Sequence, residues 1–574
     1  MQWRFKNKLN ELVPPLVYDD GRNQLDVIND VLNALDDHDI VQLQGAVGTG
    51  KSNIALHVIS EKKKGIISVP TKILEEQYVD DYCGDGVYKI VTRLDMSMDV
   101  NNLRGRTNFV CPNPPRNIKD KRVTCGHEAL YCTRPLIEPE TRAEVAQACL
   151  HWSPVYSPTM LPEAFNSYNM KTFKYDSISG SKIYFEAKKP CPYYAQFIHF
   201  VPEGAIIMNS SKWEAETWIG RKPRVPVEII DEADMFLDSL SYKTSLSNWD
   251  ISKIEKARIF DEQETSYAER EIGQLYQKYR GKPEMELTTA PDLESFVNGI
   301  CMAIEGSSEP TLATLSFKLD VLLKFKEYVY FVAIDARNIT GFTFFIARLD
   351  ITLNELRKRS GKIVLMSATA HSPENLQNIF NIAPPKIIAQ DDNPGTLYLM
   401  TPADYKLPKI THRTWDKLQI QQEYHRILEH QLRVATKPCY VLVHAMRYLP
   451  NAYKRNNDES RDTYWKRSKH KGVRFSTRMD RGVDLKDDQC RSIILLKYPI
   501  PNISDVLKKA QRKLLGETVF WKYINDMADR DLLQQCGRAI RHKDDWCQIY
   551  SPDRKSVNRL RQIWKGRLQA TKYN

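Results

Sequence analysis

At 574 residues the chain exceeds what one hydrophobic core can organise, and three or four domains are expected. A composition of 42% hydrophobic and 27% charged residues is ordinary for a soluble globular protein, and no run of 18 or more apolar residues offers a membrane-spanning helix. The formal charge of +11, from 83 Lys+Arg against 72 Asp+Glu, is a moderate basic excess compatible with a polyanionic partner.

The opening stretch MQWRFKNKLNELVPP has no apolar core of signal-peptide length. A cytoplasmic protein is therefore expected, nucleoid-associated or nuclear if the source has a nucleus. The eleven cysteines would then be reduced thiols rather than disulfides.

In chain order, VQLQGAVGTGKSNIALHVI (41–59) predicts a buried strand, a glycine-rich turn and a helix. Within it Gly45, Gly48, Thr49, Gly50, Lys51 and Ser52 fit G-x-x-x-x-G-K-[ST]. Glycines let backbone N–H groups converge on phosphates at the positive end of a helix. Lys51 would pair with the β/γ-phosphates, and the Ser52 hydroxyl would ligate Mg²⁺.

Five cysteines follow within 81 residues: Cys111, Cys125, Cys132, Cys149 and Cys191. Taken alone they could be buried thiols, disulfide halves or metal ligands, with His127 available to a zinc site. Cys149 lies in AEVAQACLHW, whose alanine-rich helical spacing suits a packed thiol. Residues 150–190, rich in Tyr, Phe, Ser and Pro, read as loop or irregular structure. PVEIIDEADMF (226–236) then predicts a short apolar strand ending in Asp231-Glu232-Ala233-Asp234. Asp231 there can hold Mg²⁺ through water, and Glu232 is placed to orient and deprotonate an attacking water.

Residues 241–355 show helical periodicity and dense charge. KIVLMSATA (362–370) is a buried strand ending in Ser367-Ala368-Thr369, and SIILLKYPIP is another apolar strand. LLQQCGRAIRHKDD (532–545) places Gln534, Gly537, Arg538 and Arg541 in Q-x-x-G-R-x-x-R. Arg538 and Arg541 would share a helix face and reach a γ-phosphate across a cleft. A basic helix, VNRLRQIWKGRLQ, is read as closing the chain.

The order of these segments resembles superfamily 2 helicases, and other details resemble the XPD/DinG type of iron–sulfur DNA helicase. Arg22-Asn-Gln24 looks like that family's adenine-side motif, and Thr71-Lys-Ile-Leu-Glu-Glu-Gln77 resembles its T-x-x-L-x-x-Q. LRGRTNFVC (103–111) is close to K-G-R-x-N-Y-x-C, and CPYYAQ (191–196) resembles the C-P-Y-Y that carries the last cluster cysteine. The resemblance runs from about residue 20 to about 555. There are departures: the usual DEAH is DEAD, E-G-x-D appears as Arg481-Gly482-Val-Asp484, and an N-H dipeptide appears as Asn209-Ser210.

The resemblance implies an α/β fold of two RecA-like P-loop domains, with an iron–sulfur insertion and a mostly helical arch insertion in the first. The expected limits are 1–104, 196–240 and 356–389 for the first RecA-like domain, 105–195 for the cluster insertion, 241–355 for the arch and 390–574 for the second. It implies an ATP hydrolase and DNA helicase translocating 5′→3′ on single-stranded DNA, acting on forked or tailed duplexes as a monomer. An ATP-driven translocase or remodeller, acting on RNA or hybrids with little unwinding, is the alternative. ATP, Mg²⁺ and a 4Fe–4S cluster are the implied cofactors, with Arg22, Gln24 and Asp484 at the nucleotide. Cys111 and Cys191 match the first and last cluster ligands by their flanks. The middle two come from Cys125, Cys132 and Cys149, with Cys125 and Cys132 preferred for their gaps of thirteen and six residues.

Overall fold

The computed structural model describes residues 3–46, 48–91, 96–114, 122–127, 130, 132, 145, 149–158, 171–305, 307, 310–336, 338–390, 395–454, 472–476, 487–537, 539–540, 545–564 and 568–573. Short, mostly apolar runs such as IVQL, IISV, VEII and KIVLM carry no alternating polar face to leave in water, and even Gln42 and Glu228 within them are buried. They therefore form central strands of a parallel sheet covered on both sides. Seven strands pair in the order Lys386–Gln390, Ile40–Gly45, Lys362–Ser367, Val227–Asp231, Lys64–Val69, Gly204–Asn209 and Val100–Leu103, all parallel. Helices follow the strands as the crossovers of a parallel sheet require. The helix Gln24–Asp37, which leads into the strand Ile40–Gly45, is started by an Asn23 capping box and buries Val27, Ile28, Val31 and Leu35.

A second sheet orders six parallel strands as Val473–Ser476, Cys439–Leu442, Ser492–Leu495, Trp546–Tyr550, Thr396–Pro402 and Leu568–Tyr573. The two sheets are the α/β pair that the motif order anticipates. The expected basic helix is Arg554–Ile563, but the last described element is the strand Leu568–Tyr573, parallel to Thr396–Pro402. Its alternation is weak because only Tyr573 is buried there, against Tyr550 at a ring distance of 5.4 Å.

Two insertions differ from their sequence reading. Within 150–190, the strands Val155–Tyr156, Gly180–Glu186 and Lys171–Ser177 form an antiparallel sheet around the turn at Gly180. Tyr175, Tyr184 and Phe185 are buried in it, so these aromatics are core rather than loop. Between 241 and 355, the helices Asn248–Lys256, Glu262–Tyr279, Pro291–Ala303 and Pro310–Lys324 pack with a four-stranded antiparallel sheet. Its order is Tyr242–Ser247, Gly341–Ile346, Val329–Ala333, Met285–Glu286. Its strands, such as FTFF, are too short and too aromatic for the helical period to expose them.

The helix Val506–Gly537 joins the parts. It breaks at Gly516, where φ is 74° and ψ 161°, a backbone conformation that favours glycine. Before the break, Ala510 packs with Tyr330, Phe345 and Ala347 of the insertion, and Lys513 reaches Glu284 at 3.3 Å. After it, Phe520, Tyr523, Ile524 and Met527 enter the large core shared with the first sheet.

Beside the phosphate loop, His57 stacks on Trp3 at 4.4 Å, and its Nδ1 lies 2.9 Å from the Asn53 carbonyl. Nε2 is buried with no hydrogen-bond partner among the described residues, and burial pushes the imidazole pKa down to about 4. The folded ring is neutral where the unfolded one takes a proton below about pH 6.5. Its stabilising contribution is present above that pH and lost as pH falls toward 4. His57→Phe is expected to remove roughly 3 kcal/mol of the acid-induced loss. Urea denaturation of both chains at pH 7 and pH 4.5 checks it; parallel pH profiles would contradict it.

Candidate functional site

The phosphate loop leaves the strand Ile40–Gly45 and enters the helix Lys51–Lys62, with Gly48 at φ 91° and Gly50 at φ 72°. Lys51 Nζ donates to the carbonyls of Gly45 (2.7 Å) and Ala46 (3.0 Å), which holds it folded over the loop. Gln24 is buried behind the loop and donates to the Gly50 carbonyl at 3.2 Å while accepting from Leu16 N–H at 2.9 Å. A Cβ at Gly50 would lie 2.1 Å from Gln24 Nε2, so glycine is needed for space as well as for φ. Arg22 donates to the Ile388 carbonyl at 2.8 Å and pairs with Asp20 at 2.7 Å.

The strand Val227–Asp231 sits two places along the sheet and delivers its carboxylates beside this loop. Asp231 accepts from Tyr78 Oη at 2.9 Å and from Glu232 N–H at 2.8 Å. Burial, then the Glu232 charge, push its carboxyl up to about 7 against the opposing pull of Lys51. Tyr78, on the helix Lys72–Tyr82, is fully buried and also engages Ser52. It thereby bridges the two residues expected at Mg²⁺. The motif T-x-x-L-x-x-Q ends one position before Tyr78, so only an aromatic beside that motif pointed to it.

Glu232 turns the chain at φ 48°, and Asp234 stays on the helix Ala233–Ser239. Asp234 accepts from Ser367 Oγ (2.7 Å) and Thr369 Oγ1 (3.1 Å), which joins the acidic tetrapeptide to SAT. Gln534 crosses from the long helix and donates to Thr369 Oγ1 (2.7 Å), Asp234 Oδ2 (3.0 Å) and Glu232 Oε2 (3.3 Å). Three of the sequence motifs thus meet within hydrogen-bond reach. Arg538, Arg541 and Asp484 lie outside the described residues.

The cysteines also gather. The antiparallel bridge Val110↔Thr124 sets Cys111 beside Cys125, with N–H bonds to Val123 and Phe109 carbonyls at 2.8 Å each. Cys191 N–H donates to the His151 carbonyl at 2.8 Å, near Cys149. Hydrogen bonds to Cys132 and Cys191 hold the Cys125 thiol protonated. The same bonds hold Cys132 down to about 7 and Cys191 down to about 6, with the Arg106 guanidinium helping. Burial raises Cys111 and Cys149, and both feel Cys132 and Cys191. Cys149 thus lies within electrostatic reach of Cys132 and Cys191 while packing, as Cys132 does, against the large core. Among the described residues, no three or more Cys, His, Asp or Glu side chains are spaced to hold a metal ion as they stand.

A cavity of about 930 Å³ opens between the cysteine segment, the first sheet and the helix Pro310–Lys324. Lys72, Arg106, Tyr193, Lys212, Trp218 and Lys318 are among its lining residues. Arg106 stacks over Tyr193 at 4.8 Å and donates to Tyr194 Oη at 2.9 Å. Burial would raise Glu216 at its wall, but Arg221 (2.6 Å) and Lys212 (2.8 Å) hold that carboxyl down to about 2.

Residues 409–570 match the family described as helicase C-terminal domain. The ATP-dependent DNA helicase CHL1 of Debaryomyces hansenii is 28% identical over 106 residues, a stretch covering 16% of this chain and 13% of that protein. The solved structure titled XPD helicase superposes with a TM-score of 0.55 at 15% identity, covering 96% of this chain and 99% of that one. A structure titled XPD apo gives 0.51 at 14% identity over 96% and 99%. These likenesses show the fold, and the motif geometry above lies within it.

Proposed function

For a chain with the motif order and fold of an XPD/DinG-type superfamily 2 helicase, we propose an ATP-driven DNA helicase that moves 5′→3′ along single-stranded DNA and separates forked or tailed duplexes. The observation that carries it is Gln534, which reaches from the second half into Asp234, Glu232 and Thr369 of the first. A group that bonds the hydrolytic carboxylates across the two halves makes hydrolysis sense their closure. Lys51 holds the phosphates, and Ser52 and Asp231, bridged by Tyr78, would hold Mg²⁺, which neutralises developing phosphate charge. Glu232 orients and deprotonates the attacking water. The basic and aromatic cavity lining suits a phosphate backbone with stacked bases and no sequence readout.

The thiol group supports an iron–sulfur cluster through Cys111, Cys125, Cys132 and Cys191, with Cys149 at hand. Soft sulfurs are the donor chemistry such a cluster takes, and two of them, Cys132 and Cys191, are biased toward thiolate beside the Arg106 cation. A bound cluster would tie four separate chain segments together. Cys125→Ser, which removes the thiol bonded to two others, is expected to strip most iron and acid-labile sulfide from anaerobically purified protein. Zinc in place of iron in the parent chain would overturn the cluster.

Strand separation on duplexes with 5′ or 3′ single-stranded tails, with Lys51→Ala as control, tests the whole reading. Lys51-dependent displacement from 5′ tails alone is expected. Displacement from 3′ tails alone would reverse the polarity, and hydrolysis without displacement from either would make the chain a translocase or remodeller.

A further inference from the structure

Four residues before Gln534, Arg530 is only 4% exposed and surrounded by carboxylates. Its Nη1 and Nη2 grip both oxygens of Asp238 at 2.8 and 3.0 Å, and its Nε donates to Asp526 at 2.8 Å. Asp234 lies a further 3.7 Å from Nη1. Asp238 sits on the helix that begins with the acidic tetrapeptide, and it also takes His371 Nε2 at 3.0 Å and Tyr523 Oη at 3.4 Å. His371 follows SATA and is buried. One carboxylate therefore joins the elements that carry the acidic tetrapeptide, SAT and Gln534, although neither Asp238 nor Arg530 belongs to any of those motifs.

We propose that Arg530 is a positioning residue: its two-pronged grip on Asp238 fixes the axial register of the long helix, so that Gln534 meets Glu232, Asp234 and Thr369. The inference rests on the reading of the chain as an ATP hydrolase. A helix rises 1.5 Å per residue. Residues 530 and 534 are one turn apart on the same face, so a slip at Arg530 moves Gln534 equally. The neighbouring Gln534 contacts of 2.7 and 3.0 Å leave no slack for such a slip. A lysine would keep the charge but hold one point, without the planar fork that spans two oxygens and Asp526 together.

The test is Arg530→Lys and Arg530→Gln in the full chain, with ATP hydrolysis in the presence of single-stranded DNA, affinity for a non-hydrolysable ATP analogue, and thermal unfolding. Arg530→Lys is expected to unfold near the parent temperature, to keep KM and analogue affinity within about twofold, and to lose about 10- to 100-fold in kcat. Arg530→Gln should also lose stability, because Asp238 stays buried without its cation. Parent-like kcat in Arg530→Lys, with only the glutamine variant impaired through instability, would reduce Arg530 to a structural ion pair and overturn the inference. Absence of Lys51-dependent hydrolysis in the parent chain would overturn the functional reading and this inference with it.

Discussion

Glu232→Gln is expected to lower kcat for ATP hydrolysis by about 10²- to 10⁴-fold, the range lost when a positioned general base is removed. Nucleotide affinity should stay close to that of the parent, because the substitution touches neither Lys51 nor the backbone of the phosphate loop. The side chain keeps its shape and can still meet Gln534, which lies 3.3 Å from Glu232 Oε2. What disappears is the capacity to take a proton from water. A second consequence follows from charge. Glu232 is the second cause, after burial, that pushes Asp231 up to about 7. Its neutralisation lets Asp231 ionise more readily, which favours Mg²⁺ and sharpens the contrast between retained binding and lost turnover. Single-turnover hydrolysis beside equilibrium binding of a fluorescent ATP analogue measures both. A variant within a few-fold of the parent in kcat would assign the base elsewhere.

The parts legible in the sequence are those whose chemistry is local. A glycine loop between a strand and a helix, or an acidic cluster after a short, mostly apolar strand, needs only neighbours along the chain to be read. The phosphate loop, the acidic tetrapeptide and SAT accordingly stand at the ends of adjacent strands of one parallel sheet. Residues acting across long sequence separations escaped. Tyr78 and Asp231 are 153 positions apart, and Arg530 and Asp238 are 292 apart. Nothing in a lone tyrosine or arginine announces such a partner. The strands of 171–186 were hidden for a different reason. Their alternation TFKYDS and GSKIYF mixes aromatics with Lys and Ser, and the second reads as a loop until pairing buries Tyr184 and Phe185. The break at Gly516 is visible as a glycine. Its effect, turning one half of the helix toward the insertion and the other toward the core beside the acidic tetrapeptide, depends on both packing partners.

Lys222→Met is expected to destabilise the chain by about 3–5 kcal/mol without approaching the nucleotide. Lys222 and Glu228 form an ion pair at 2.8 Å with side chains 0% and 1% exposed. Burial pushes the lysine pKa down, and Glu228 opposes that shift. The pair is fully furnished: Glu228 also accepts from Trp213 Nε1 at 2.6 Å and Gly361 N–H at 3.2 Å, and Lys222 lies 4.4 Å over the Trp213 ring. It ties the strand Val227–Asp231 to the turn before Lys362–Ser367, at the end of the sheet opposite Asp231. Methionine fills the lysine stem but leaves a buried carboxylate that has lost its cation. The double variant Lys222→Met/Glu228→Gln removes that uncompensated charge, and it should recover part of the loss: the amide oxygen can still accept from Trp213, while the bond from Gly361 N–H to the other carboxylate oxygen is lost. Chemical denaturation of the parent, both singles and the double closes the cycle. Additive losses would mean that the two side chains act independently; recovery in the double assigns the effect to the stranded charge.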